Sequence, residues 1–174
     1  MTPHPVSLIS SAGLAARSLL WTVLLPGLVA GYLPWRYFGL RSVALDLHRP
    51  SHFLGLLGIA VGTALLTTCI LEFARTGRGT LSPVDPPRTL VVRGPYRYVR
   101  NPMYVGVTLI VLGEVLLTWS RGLFAYWALW FGVVNLFVRG YEEPALRRQF
   151  GPSYERYAAA VDRWLPRLRP WRRT

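Results

Sequence analysis

Arg93-Gly-Pro-Tyr-Arg-Tyr-Val-Arg-Asn-Pro-Met-Tyr-Val-Gly106 carries a turned, Arg-rich segment straight into an apolar run that begins at Met103. A residue before proline is pushed away from helical backbone. Asn101 is therefore expected to cap a helix that Pro102 opens at its first position. The run stays apolar to Trp119, a second run follows at Gly122–Val138, and little more than Ser120-Arg-Gly122 joins them. That spacing predicts a tight antiparallel hairpin. A second polar cluster, Arg139-Gly-Tyr-Glu-Glu-Pro144, stands where the second run ends. Two polar clusters then bracket one hairpin, at a membrane surface.

Working outward, two further apolar runs occupy Ser18–Pro34 and Phe53–Phe73. A bilayer needs about 17–25 such residues per helix. The expected fold class is all-α: a polytopic membrane helical bundle with four transmembrane helices and a C-terminal amphipathic helical segment. The helices are expected at about 18–34, 51–74, 102–119 and 122–139, with a cytosolic connection at 75–101 and interfacial helices over 144–165, all in one domain spanning 1–174. Pro26-Gly27 predicts a kink in the first helix, tolerable where neighbouring helices satisfy freed carbonyls. Ser51 suits the cap of the second helix, and Gly55, Gly58 and Gly62 make a small-residue face that permits close helix approach.

Composition agrees. Of 174 residues, 52% are hydrophobic and 16% charged, against about a quarter charged in soluble domains. The net charge of +12 is carried by Arg alone, with no Lys. These Arg residues lie in the connections and the tail, which fits positive-inside topology and anionic headgroups better than nucleic acid. Both termini, the 75–101 connection and the site then face the cytoplasm, and the all-Arg basic set points to a GC-rich bacterial genome, hence to a bacterial inner membrane. The connection after the first helix carries a small positive excess, a conflict that a re-entrant or interfacial fifth segment near residues 35–45 would resolve. The N-terminal apolar stretch, nearly without charge before Arg17, reads as an uncleaved helix. Lone Cys69 excludes a disulfide within the chain.

Three constellations offer chemistry. The helix start at Asn101 and Pro102, with Arg97 and Arg100, is a natural seat for a carboxylate or phosphate; topological anchoring with a tidy cap explains the same residues. Glu142 and Glu143, adjacent acids beyond a membrane helix, call for pairing, with Arg or with a cationic ligand group; they also suit the start of the helix that Pro144 opens. Glu114, three turns into its helix and on roughly the same face as Arg121, invites a substrate contact or proton handling; an interior hydrogen bond to Asn135, Thr118 or another helix is the plainer account. In the tail, Pro152 starts a helix whose Tyr154, Tyr157, Ala158, Val161 and Trp164 line one face, with Arg156 and Arg163 pointing elsewhere. There is no phosphate loop, dinucleotide fingerprint or metal-ligand spacing, so no metal is expected.

Arg93–Gly106, Gly79–Pro87, Leu112-Gly-Glu114 and Tyr141–Gly151 followed by Tyr154, Tyr157 and Trp164-Leu-Pro166 together resemble the isoprenylcysteine carboxyl methyltransferase and phospholipid methyltransferase superfamily. The resemblance covers about residues 72–167. It implies a membrane methyltransferase that uses S-adenosylmethionine and a lipophilic small-molecule or lipid acceptor arriving from the bilayer. The family's arginine-histidine-proline element falls on Arg100, Asn101 and Pro102 and its paired acids on Glu142 and Glu143, and the resemblance adds weight to Glu114 on the catalytic side; Gly106 closes the signature stretch and is counted with the cofactor-binding residues. From the residues themselves, Tyr98, Tyr104 and Tyr141 suit stacking on an adenine or facing a sulfonium, and Arg139, at the membrane exit of its helix, suits an acceptor carboxylate or phosphate on the catalytic side. Asn101 stands where that family has His, so no titrating base is expected there. Methyl transfer needs alignment more than proton transfer. A non-enzymatic four-span scaffold or lipid-binding protein explains the size and the basic face without any site.

Overall fold

The computed structural model describes residues 24–76 and 90–172, with side chains omitted at 73–76. The N-terminal lead, the start of the first helix (18–23) and the Gly79–Pro87 segment lie outside the described residues. What is described is all-α, with no strand among the described residues.

The first helical stretch passes through a π turn, Leu28–Tyr32, into α1 (Leu33–Tyr37). Residues 35–45 add only the end of that helix and one 3-10 turn, Leu40–Ser42. Helix α2 is Pro50–Thr76, α3 Pro102–Thr118, α4 Arg121–Phe137, α5 Glu143–Phe150 and α6 Pro152–Ala160. A second π turn, Val138–Glu142, links α4 to α5 without a break. Pro50 takes the first position of α2, so Ser51 is inside the helix and not its cap.

Two of the described helices, Pro50–Glu72 and Arg121–Phe150, are long and apolar enough to cross a membrane, and Pro102–Thr118 is a shorter apolar helix. A 30-residue helix is about 45 Å long, whereas the hydrocarbon core is about 30 Å. Its length thus exceeds that core by about 15 Å, and its polar end begins at the second π turn.

The α2–α3 contact is the tightest in the bundle and rests on glycine. A methyl added at Gly113 would lie 2.5 Å from the Gly55 carbonyl oxygen, and one at Gly62 would lie 2.6 Å from that of Gly106. The pairs Gly55–Gly113 and Gly62–Gly106 are each seven residues apart on both antiparallel helices, two turns. Backbone thus meets backbone where side chains would hold the helices apart. The α3–α4 hairpin turns on Trp119, whose left-handed backbone (φ 50°) ends α3, and Ser120, whose Oγ accepts from Leu123 N–H at 3.2 Å. Trp119 is exposed, an aromatic at the membrane end of a hairpin.

Both π turns end two residues before a proline. At the first, Leu33 N–H bonds to the Leu28 carbonyl. Pro34, the next in line, has no N–H for Val29, and the Tyr126 hydroxyl donates to that freed carbonyl at 2.9 Å. At the second, Glu143 N–H bonds to the Val138 carbonyl, and Pro144 likewise has no N–H to offer Arg139. A proline inside a helix forces such an adjustment.

The candidate functional site at the polar end of the hairpin

Helix α6 and the extended tail behind it fold back over the Arg93–Arg100 segment. Tyr154, Tyr157 and Val161 are buried there with Leu90, Val92, Leu146, Phe150 and Trp171 packed around them. The tail runs antiparallel to the segment it covers: Arg100 N–H donates to the Asp162 carbonyl (2.9 Å), Arg167 N–H to that of Tyr98 (3.0 Å) and Trp171 N–H to that of Arg97 (2.9 Å). The Tyr157 hydroxyl donates to the Tyr96 carbonyl at 2.6 Å. Gly94 adopts positive φ (50°), and a methyl added there would lie 3.2 Å from the Glu72 side chain of α2, so glycine suits the position on both counts. The turn is thus held from both sides before any ligand is considered.

Glu143 is at the centre, 6% exposed. Arg163 grips it with two hydrogen bonds, Nε to Oε1 at 2.6 Å and Nη2 to Oε2 at 2.8 Å. Arg100 adds a third contact, Nη1 to Oε1 at 3.2 Å, and its Nη1 also donates to the Tyr154 hydroxyl at 3.4 Å. Burial alone would raise the Glu143 carboxyl, but the Arg163 hydrogen bonds and the charges of Arg100, Arg163 and Arg147 together hold it below the usual carboxylate range. Its neighbour behaves in the opposite way. Burial pushes Glu142 upward, the Glu143 charge adds to that push, and a hydrogen bond from Tyr104 Oη to Oε2 (3.3 Å) opposes it. Adjacent helical residues point about 100° apart, so one acid faces the tail and the other faces α3.

The structure therefore brings together Arg100, Asn101, Pro102, Tyr104, Glu142 and Glu143. Tyr98 and Tyr141 are exposed at the same end, and Tyr141 stacks on Phe137 with ring centres 5.4 Å apart. Arg139 is exposed on the second π turn. Four expectations change. Asn101 holds the N-cap position, but its side chain makes no capping bond; Nδ2 instead donates to the Arg163 carbonyl at 3.2 Å. Gly106 faces α2, where an added methyl would meet the Gly62 carbonyl at 2.9 Å, so it is a packing position and not part of the cluster. Glu114 lies ten residues beyond Tyr104, about 15 Å deeper along α3, away from the cluster. None of the three expected neighbours bonds to its carboxyl: Thr118 Oγ1 bonds to the backbone carbonyl of Glu114, Asn135 accepts from Trp164, and Arg121 belongs to the next helix.

Fourth, Arg163 does not point elsewhere. The tail is helical only to Ala160, and Val161 is extended, so helical periodicity stops short of it. Three successive residues then tie the tail to three elements. The Asp162 carbonyl holds Arg100, Arg163 holds Glu143 and Asn101, and Trp164 Nε1 donates to Asn135 Oδ1 of α4 at 3.1 Å. The sequence did hold one signal for Arg163, because a buried acid pair needs more cationic charge than Arg100 provides. Tyr96, also unforeseen, has its hydroxyl held well above the ordinary tyrosine value by burial, and the nearby Glu142 carboxyl adds to that push. Among the described residues no group of three or more His, Cys, Asp or Glu side chains could hold a metal ion.

No solved structure matches the chain. The cobalt-zinc-cadmium resistance protein CzcN of Cupriavidus metallidurans is 30% identical over 151 residues, 87% of this chain and 62% of that protein. The chain thus spans less than two thirds of that relative's length. The family model PEMT, phospholipid methyltransferase, matches residues 50–153, from the first turn of α2 to the first turn of α6. The matched stretch contains the glycine seam, the Arg100–Tyr104 helix start and both acids, and with well over half its length so covered the chain belongs to the phospholipid methyltransferase family.

Proposed function

We propose that the protein transfers a methyl group from S-adenosylmethionine to a lipophilic acceptor that reaches the polar end of the α3–α4 hairpin from the bilayer. The observation that carries this reading is the split of the acid pair. Glu143 is committed to Arg163 and Arg100, while Glu142 receives one hydrogen bond from Tyr104 and retains acceptor capacity for a ligand amine. The residues suit the rest of the cofactor. Arg100 Nε is buried without a partner and suits a carboxylate. The first-turn amides of α3 carry no side-chain cap and suit the same group. Tyr98 and Tyr141 offer exposed rings for an adenine or, by cation–π attraction, a sulfonium.

When bound, the cofactor supplies an activated methyl group on sulfur. The residues bind, align and exclude water. Glu143 with its two arginines fixes the distance between the α3 start and α5. Pro102 and Asn101 set the direction of the first turn of α3. Arg139, exposed where α4 leaves the membrane, is suited to a carboxylate or phosphate on the acceptor. In this reading four helices span a bacterial inner membrane, and the Arg-rich side, with the site, faces the cytoplasm.

Calorimetric titration of the detergent-solubilised protein with S-adenosylhomocysteine tests the proposal. Binding is expected, and Glu142→Ala is expected to weaken it at least tenfold. Absence of binding to the wild-type protein leaves the scaffold reading in its place. Membranes incubated with methyl-labelled cofactor, followed by mass spectrometry of the lipid fraction, then identify the acceptor.

A further inference from the structure

Among the described residues four buried polar side-chain atoms have no hydrogen-bond partner: Arg100 Nε, Thr108 Oγ1, Glu114 Oε2 and Trp130 Nε1. The first belongs to the cluster above. The other three lie on α3 and α4 at membrane depth, and Glu114 is 97% buried by its 3% exposure.

These groups lie beside one apolar cluster, against which Trp130 packs and to which Trp127 ties the Thr108 carbonyl. Val107 and Val111 of α3 meet Leu123 of α4 and Val29 of the first π turn, and Tyr126, Trp127 and Trp130 pack against them. Glu114 follows Val111 by one turn on the same face of α3. The polar neighbours are already committed. The Tyr126 hydroxyl serves the Val29 carbonyl (2.9 Å), Trp127 Nε1 serves the Thr108 carbonyl (3.2 Å), and the Thr118 hydroxyl serves the Glu114 backbone carbonyl (3.0 Å). What remains is a carboxyl oxygen, a hydroxyl and an indole N–H. An unpaired polar group in an apolar medium costs several kcal/mol, and ionisable residues at bilayer depth typically face a ligand or ion path.

We propose that the α3–α4 seam is the binding site for the non-reacting part of the acceptor, with Glu114 Oε2 accepting a hydrogen bond from a hydroxyl or amine on it. This inference rests on the methyltransferase reading for its geometry. Glu114 is ten residues from Tyr104, so that donor lies about 15 Å from the methylated atom. The substrate class is therefore an elongated lipophilic alcohol or amine with polar groups at two depths, and Thr108 Oγ1 and Trp130 Nε1 serve the oxygen or nitrogen lone pairs between them. A purely hydrocarbon tail leaves all three atoms unserved.

The test uses the full chain in phosphatidylcholine nanodiscs, with 1-dodecanol, dodecylamine and dodecane as probes and thermal unfolding and tryptophan emission as readouts. Dodecanol or dodecylamine is expected to raise the unfolding temperature and shift the emission, and dodecane is not. The stronger of the two polar probes tells hydroxyl from amine. Glu114→Leu should lower affinity for the polar probe at least tenfold, while Glu114→Gln, which keeps a carbonyl acceptor, should recover most of it. Equal effects of dodecane and dodecanol, or full retention in Glu114→Leu, overturn the inference. S-adenosylhomocysteine affinity, measured in parallel, should be unchanged in both variants. Its absence in the wild type removes the methyltransferase reading and leaves the probe site to be judged on its own data.

Discussion

Removing the Arg163 side chain gives the sharpest test of how the site is held. Arg163→Ala deletes both short hydrogen bonds to Glu143, at 2.6 and 2.8 Å, and leaves Arg100 at 3.2 Å. Loss of one partner from a buried ion pair costs about 3–5 kcal/mol. Two features reduce that figure here. The Arg163 side chain is 23% exposed, so water already screens part of the attraction, and Arg100 still neutralises the acid. A loss of about 2–3 kcal/mol is expected, or roughly 4–12 °C in unfolding temperature for a chain of this size. The Arg163 backbone carbonyl remains, so Asn101 keeps its contact. The assay is a double-mutant cycle with Glu143→Gln, followed by thermal unfolding in detergent. The double variant should cost at least about 1.5 kcal/mol less than the two single losses combined, because the second substitution removes the charge that the first strands. The pH dependence adds a second check. Glu143 is held below its usual value in the folded state, so its stabilisation is present above the unfolded carboxylate value of 4.5 and is lost as pH falls through the folded one. The gap between wild type and Arg163→Ala should therefore narrow below about pH 4.5. Additivity within about 0.5 kcal/mol, with a gap that ignores pH, would show that Arg163 acts by packing alone and refute the charge argument.

Two further substitutions test the frame around this clamp. Gly113→Ala places a methyl 2.5 Å from the Gly55 carbonyl and 3.0 Å from the Ile59 nitrogen. Neither backbone can yield cheaply, so a loss of about 1–3 kcal/mol is expected; Gly132→Ala, which meets nothing within 4 Å, should be neutral or stabilising by up to about 1 kcal/mol in the same unfolding assay. Pro144→Ala restores an N–H that can close a regular helical bond, and removal of the π turn would rotate everything beyond it by about 100°. S-adenosylhomocysteine affinity should fall more than tenfold with helicity by circular dichroism undiminished, whereas Pro34→Ala, at the other π turn, should leave that affinity unchanged.

Much of the frame was legible from local chemistry. The α2 glycines are a small-residue stripe, and the structure uses Gly55 and Gly62 for backbone contact with α3. The short Ser120 connection required a hairpin, and Ser120 caps its second helix. A hairpin in turn brings the Asn101 and Glu142 ends together. The number of membrane crossings was less accessible. Two described helices meet the length and hydropathy needed, α3 is shorter, and the first helix begins outside the described residues. The division of labour inside the site was not readable at all. Periodicity carried through the tail to Trp164 put Arg163 on an outward face, but the chain leaves the helix at Ala160, with Val161 extended. Gly106 sits in the signature stretch and looked like part of the site, yet it serves the α2 seam. A motif records that a residue matters and says nothing of which neighbour it meets.

The same limit explains why adjacent acids could not be told apart. In a regular helix from Arg121 to Phe150, heptad counting would assign Glu142 and Glu143 their faces. The π turn at Val138–Glu142 adds one residue to that count and turns the helix by about one position. Pro144 is the local cause, since it removes an N–H and its ring crowds the preceding turn. The first π turn shows what happens when such a device has only a structural use: Tyr126 fills the freed Val29 carbonyl from a neighbouring helix. The second carries exposed Arg139 and Tyr141 at the polar end of the bundle, with Glu143 turned to the arginines and Glu142 to Tyr104. Adjacency gives the two identical side chains different environments, and the π turn ahead of Pro144 sets which face each takes: one carboxyl is held low by arginines and one pushed up by burial. In the proposed reading, that separation keeps one acid as architecture and leaves the other for a ligand.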